Sequence, residues 1–188
     1  MLCLKLRSYS MMKKIYTAII LAILVSNSFA QVKPTVTKSE ITFKIKNLGI
    51  NCNGNFTGLQ ADIQFKPTDL TTSTIEASVD AASVNTDNGS RDKHLKSEDY
   101  FDVATYPKIK LKSVSFKHKS GNNYIGNFNV TIRDKTKLIE IPFTYTETGN
   151  AAVFNGSFKI TRTDFGIGGK NLILSNEATV TVNVEISK

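Results

Sequence analysis

Two histidines, His94 and His118, and Cys52 are the residues of this chain with the strongest nucleophilic or metal-binding chemistry. A nucleophilic hydrolase needs Ser or Cys beside His, with a carboxylate to orient the ring. His118 stands between Lys117 and Lys119 at an apparent strand end, where a solvated imidazole fits. Cys52 is far in sequence from either histidine and lies in an alternating stretch, so it reads as a small inward-facing hydrophobe. The densest polar group is Asp92, His94, Glu98, Asp99 and Asp102, interleaved with Arg91, Lys93 and Lys96. That alternation of sign suits a solvated, internally paired helix better than a metal site. Gly166-Ile167-Gly168-Gly169 lacks the Lys-Ser/Thr that completes a phosphate loop, and reads as a hairpin or rim loop. N-x-[ST] sequons at Asn55, Asn88, Asn129 and Asn155 are expected by chance in a chain this rich in Asn, Ser and Thr. The expectation is a protein with no catalytic residue, no metal and no cofactor.

The elements that would position these groups follow from charge and periodicity. The formal charge of +8 over 188 residues resembles a nucleic-acid binder's until it is located. Lys5, Arg7, Lys13 and Lys14 lie in residues 1–30, which hold no acidic residue. The remaining 158 residues carry 20 basic and 16 acidic side chains. A surplus of +4 is no clamp for a polyanion, so no nucleic-acid partner is expected. Met12-Lys13-Lys14 opens a basic stretch, Ile15 to Val25 is mostly apolar, and Ser28-Phe29-Ala30 offers small residues for signal peptidase. A signal peptide over 1–30 is predicted, cut before Gln31, with export to the periplasm or beyond. Met1 and Met12 are both candidate starts, which makes residues 1–11 a long n-region or a start-site extension. The apolar run falls short of the roughly 20 residues of a membrane span. With Cys3 removed, Cys52 is alone, so the domain over 31–188 must be held by its core rather than by a disulfide.

One period runs through that domain. Ile41, Phe43 and Ile45 alternate with polar residues, as do Ile63 and Phe65, and Ile75, Ala77 and Val79. Ile109 and Leu111 are followed one residue out of phase by Val114 and Phe116, which predicts a bulge. Tyr124, Gly126, Phe128, Val130 and Ile132 share a face, then Ile139 to Tyr145, Phe158 with Ile160, and Val180 to Ile186. Strict alternation predicts antiparallel strands with one apolar and one wet face. Leu48-Gly49, Asn53-Gly54, Lys66-Pro67, Gly121-Asn122, Gly149-Asn150 and Gly168-Gly169 read as turns. About eight such strands favour a sheet closed on itself, although a two-sheet sandwich satisfies the same period. Ser90 to Asp102 breaks the alternation and predicts a short helical insert, with Ser97 as an N-cap ahead of Glu98 and Asp99.

The order of motifs resembles the YceI-like, polyisoprenoid-binding family. Phe43 to Gly49 with Gly54-Asn55-Phe56 looks like its opening motif. Ser83-Val84-Asn85-Thr86, the specific stretch Arg91 to Asp102, and Tyr106-Pro107 follow. Thr131 to Lys137, Pro142 and Arg162 to Gly166 complete the order, and the likeness spans Lys38 to Lys188. Asp134, Tyr100, Cys52 and Thr161 depart from the family's usual Gly, Phe, aliphatic and Asn. Asp134 is placed to pair with Arg133.

The resemblance implies an all-β, extended, antiparallel eight-stranded lipocalin-like barrel with a short helical insert, exported to the periplasm. It also implies a long isoprenoid lipid, such as a polyprenyl phosphate or a quinone tail, as partner inside the barrel. Inward faces taken from the alternation make Phe43, Ile45, Ile75, Val79, Phe128, Val130, Ile141, Phe143, Phe158 and Ile160 the expected lining. Arg91, Lys93, Lys96 and Arg162 are the expected head-group contacts. Leu95, Tyr100 and Phe101 should turn inward from the insert, with His94 and Asp99 as structural hydrogen-bonding partners. A solid core of the same residues would satisfy the same alternation, leaving an exported scaffold as the second reading and an enzyme acting on the lipid as a third. Pairing into a homodimer is left open.

Overall fold

An amphipathic strand buries its apolar face only against another element, and a run of such strands can supply that element by curling. The computed structural model describes residues 33–169 and 172–188, so the predicted signal peptide over 1–30 lies outside the described residues. The strands are β1 (Thr35–Asn47), β2 (Ile50–Phe56), β3 (Gln60–Gln64), β4 (Thr74–Asp80), β5 (Lys108–Ser120), β6 (Asn123–Ile132), β7 (Lys135–Thr148), β8 (Ala151–Thr161) and β9 (Leu174–Ser187). They form one sheet in the order β2-β1-β9-β8-β7-β6-β5-β4-β3, antiparallel throughout. Neighbours in the sheet are neighbours in sequence, except that β9 returns to pair with β1 and turns the meander into a barrel.

Edges β2 and β3 share no ladder among the described residues. The β4–β5 connection closes the seam instead: Asn55 N–H donates to Asn85 O (2.8 Å) and Asn85 N–H to Asn55 O (3.1 Å). Ser83 Oγ accepts from Thr57 N–H (3.0 Å) and donates to Asp80 O (2.7 Å).

Among the described residues nine strands stand where eight were expected, and the addition is β2. Its sequence, INCNGNF, carries almost no apolar alternation, and Asn53-Gly54 imitates a turn. Gly54 is instead mid-strand, opposite Phe43. A Cβ there would lie 2.4 Å from the Phe43 ring, so glycine serves close packing. The turn falls at the earlier of the two signals, Leu48 (φ 51°) and Gly49 (φ 78°).

The bulge in β5 falls as predicted, between pairs Ser113–Phe128 and Ser115–Asn127, but with a different consequence for Val114. As the extra residue it is extruded, 57% exposed, while Phe116 turns in against Phe128. The insert is a single helix α1 (Gly89–Leu95) followed by turns through Thr105. Its N-cap is Asn88, whose side chain accepts from Arg91 N–H (3.0 Å). Ser97, the expected cap, lies past the C-terminal end and donates to His94 O (2.7 Å). Among the described residues no helix is long and apolar enough to cross a membrane.

Candidate functional site

The inward faces of the strands do not meet at the barrel centre. They enclose a cavity of about 480 Å³, within the 300–1,000 Å³ usual for ligand sites. All ten residues expected from alternation lie on its wall. Leu95, Tyr100 and Phe101 of the insert also face it, as do Leu59 and Ala61 of the β3 region. The wall is overwhelmingly aliphatic and aromatic, which rewards burial of an apolar chain and penalises an unpaired charge.

One end of the cavity is floored by rings. Phe65 is ringed by Phe116, Tyr124, Phe143, Tyr145 and Phe154, with centroids 4.8–5.6 Å away. Beyond this floor the Tyr145 hydroxyl donates to Glu147, which also pairs with Lys188. Burial, then the Glu147 hydrogen bond and charge, raise the Tyr145 pKa above its ordinary 10.0. The Glu147 carboxyl is lowered from 4.5 by its bond to Lys188 and then by the Tyr145 hydroxyl.

The polar groups gather toward the other end, where the β1–β2 turn, the insert and the β8–β9 connection meet. Buried Thr86 organises them. Its hydroxyl and its N–H donate to Asp92 Oδ1, while Arg91 donates from Nε to Thr86 Oγ1 (2.8 Å) and from Nη2 to Thr86 O (2.7 Å). Arg91 Nη1 lies 3.9 Å from Cys52 Sγ, and N–H bonds on both terminal nitrogens remain for a ligand. Arg91 thus lines the cavity as a cation held in place by an uncharged threonine. Asn47 adds a buried Oδ1 with no hydrogen-bond partner among the described residues.

The other three expected head-group contacts are placed differently. Arg162 is 2% exposed and all five donors go to protein oxygens: Ser175 O, Ile167 O, Gly169 O, Leu174 O and Asn176 Oδ1, at 2.7–3.2 Å. It folds the β8–β9 connection around itself and has no donor left for a head group. Lys93 and Lys96 stand off the wall, because α1 turns Arg91, His94 and Leu95 toward the cavity. Arg133, expected beside Asp134, donates instead from Nη1 to Tyr100 O (3.1 Å) and Gly166 O (2.8 Å), tying the β6–β7 turn to both neighbouring segments.

His94 is exposed and packs its ring against Tyr100, with centroids 4.7 Å apart, rather than serving as a buried hydrogen-bonding partner. Asp99 contributes its backbone, accepting from Gly168 N–H (2.7 Å). His118 is solvated as expected, its Nε2 2.8 Å from Gly121 O. No group of three or more His, Cys, Asp or Glu able to hold a metal occurs among the described residues.

A nine-stranded meander curled around an apolar cavity, with its polar groups at one end, defines a lipocalin-like barrel of the ligand-enclosing kind. The particular family is shown by sequence: residues 31–187 match the YceI-like domain, and the chain belongs to that family. A UPF0312 protein of Pseudomonas savastanoi pv. phaseolicola is 32% identical over 136 residues, covering 69% of this chain and 71% of the relative. A UPF0312 protein of Vibrio cholerae is 27% identical over 169 residues, 83% and 89% of the two chains. Among solved structures, Burkholderia cenocepacia BcnA superposes with a TM-score of 0.75 at 22% identity, covering 78% of this chain and 95% of BcnA. A polyisoprenoid binding domain from Saccharophagus degradans superposes at 0.64 with 15% identity, covering 82% and 97%. At those identities the superpositions establish the fold.

Proposed function

We propose that this protein is an exported carrier that encloses the apolar tail of a long-chain isoprenoid lipid and protects it from water. The cavity of about 480 Å³ with its apolar wall is the observation that carries the reading. Each buried CH₂ contributes about 0.8 kcal/mol, so a polyprenyl tail needs few polar contacts to bind tightly. Family membership and the description of the Saccharophagus domain as polyisoprenoid binding support this ligand class. The sequence of residues 1–30 supports export. Arg91 is the head-group contact, and one cation suits a single phosphate or a carbonyl oxygen better than a diphosphate. No catalytic role is assigned to the chain.

The experiment is organic extraction of the purified protein followed by mass spectrometry. A prenyl lipid should be recovered from the wild type and lost from Phe128→Asp, which sets an unpaired carboxylate in the wall. If folded wild-type protein yields no lipid and takes up no added polyprenol, the barrel is a scaffold and the carrier reading fails.

A further inference from the structure

Hydrophobic side chains that a fold leaves in water need a reason when they cluster. Six large ones are markedly exposed among the described residues, and four stand together at the polar end of the barrel: Leu48 (69%), Ile50 (71%), Leu172 (106%) and Ile173 (49%). A backbone hydrogen bond from Leu48 N–H to Ile173 O (2.8 Å) joins the two loops that carry them. The patch is continuous with the cavity, since Ile173 itself and Asn47, next to Leu48, are on the wall.

Leu48 is the most telling of the four. It occupies the first of two positive-φ positions in the β1–β2 turn, a site that Asn fills at little cost and a bulky L-residue fills under strain. Neither turn geometry nor core packing asks for leucine there. The β1–β2 hairpin itself carries charge of one sign. Between Ile41 and Phe56 the only ionisable side chains besides Cys52 are Lys44 and Lys46, both exposed on the outer face of β1. Glu177, across the sheet on β9, is held by Lys159 at 2.8 Å.

We propose that Leu48, Ile50, Leu172 and Ile173, backed by Lys44 and Lys46, form a rim that seats the barrel on an anionic lipid bilayer with the cavity facing the membrane. Four side chains are far fewer than the roughly 20–30 residues a side of a stable protein interface. Apolar tips with lysines behind them match the boundary between acyl chains and anionic head groups. The surface is argued from the patch itself; only its purpose, loading the cavity from the membrane, rests on the carrier reading.

The test is flotation of the Gln31–Lys188 domain with vesicles of phosphatidylglycerol and phosphatidylcholine, free of isoprenoids, against vesicles of phosphatidylcholine alone. The domain should float with the anionic vesicles, less so as salt is raised. The double variant L48N/I50T should lower binding about tenfold or more through lost apolar insertion. Its melting temperature should hold or rise, because Asn suits the positive φ at position 48. K44Q/K46Q should weaken binding about tenfold and flatten the salt dependence. Phe128→Asp, which tests the cargo, should still float. Flotation of L48N/I50T equal to wild type, or no flotation of the wild type, overturns the rim. So does a dimer in sedimentation that L48N/I50T dissolves while bilayer binding stays unchanged, because the patch is then a contact between copies.

Discussion

Phe65→Ala removes the ring on which the far end of the cavity rests. Phe65 contacts five aromatic side chains, with four of the centroid distances at 5.2–5.6 Å and that to Tyr145 at 4.8 Å. A Phe→Ala change in a packed site costs about 3–5 kcal/mol, combining lost transfer energy with the void left behind. For a domain of this size each kcal/mol lowers the melting temperature by about 2–4 °C, so a drop of roughly 6–20 °C is expected by calorimetry. The new void adjoins the existing cavity through Phe143 and Phe154, which border both. A longer tail can then enter it. One further isoprene unit has five carbons, and at about 0.8 kcal/mol each they would contribute at most about 4 kcal/mol. That is comparable to the cost of the mutation. Saturating polyprenols of increasing length should therefore restore more stability to the variant than they add to the wild type, with the optimum moved by about one unit. An unchanged chain-length optimum in a folded, destabilised variant would refute the floor, and an unchanged melting temperature would refute the packing.

Three further outcomes follow from the other sites. Arg162→Met should destabilise the domain by about 3–5 kcal/mol in urea titration, because it orphans buried carbonyls, yet leave head-group preference as it was; Arg91→Gln should cost less, about 1–3 kcal/mol for the donors lost to buried Thr86, and should weaken a phosphorylated lipid more than the neutral alcohol. Tyr145 has a folded pKa raised above 10.0, so its contribution is full below that value and is lost as pH rises above it. Tyr145→Phe should flatten this alkaline fall in stability, and a slope unchanged by the mutation would remove Tyr145 as its cause. His94→Ala should cost less than about 0.5 kcal/mol, since the ring is exposed and packs against the Tyr100 ring; a loss above 2 kcal/mol would show a buried role.

The wall of the cavity was legible in the sequence because alternation is a local property and barrel closure sends every apolar face the same way. Alternation put Phe43, Ile45, Phe158 and Ile160 on one face of their strands, and the resemblance to a barrel family made that face the inner one. The edge strand β2 was not legible, since its inner face is built from Cys52, Gly54 and Phe56, and the smallness of Gly54 answers to a ring on the neighbouring strand. Arg162 was read as a head-group contact because its five acceptors are mostly backbone oxygens of a loop, which a sequence pattern does not display. Ser97 and Asn88 are both good caps, and only the placement of the helix chooses between them. Thr86 was visible within a motif, but its hydrogen bonds to Arg91 and Asp92 become evident only in three dimensions.

The seam between β2 and β3 gives the barrel an uneven resistance to stretching. Elsewhere neighbouring strands are joined by five or more registered pairs, so parting them breaks a whole ladder at once. At the seam, the Asn55–Asn85 bridge and the Ser83 contacts hold the edge, and releasing them costs only about 2–4 kcal/mol. The girth of the barrel can therefore change along this one line while the rest of the sheet keeps its register. A wall that yields at a single stitch can admit a bulky tail sideways and close over it again. In amide exchange, Asn55, Thr57 and Asn85 should give up their protons well before the central residues of β6 and β7, and bound lipid should slow all three together.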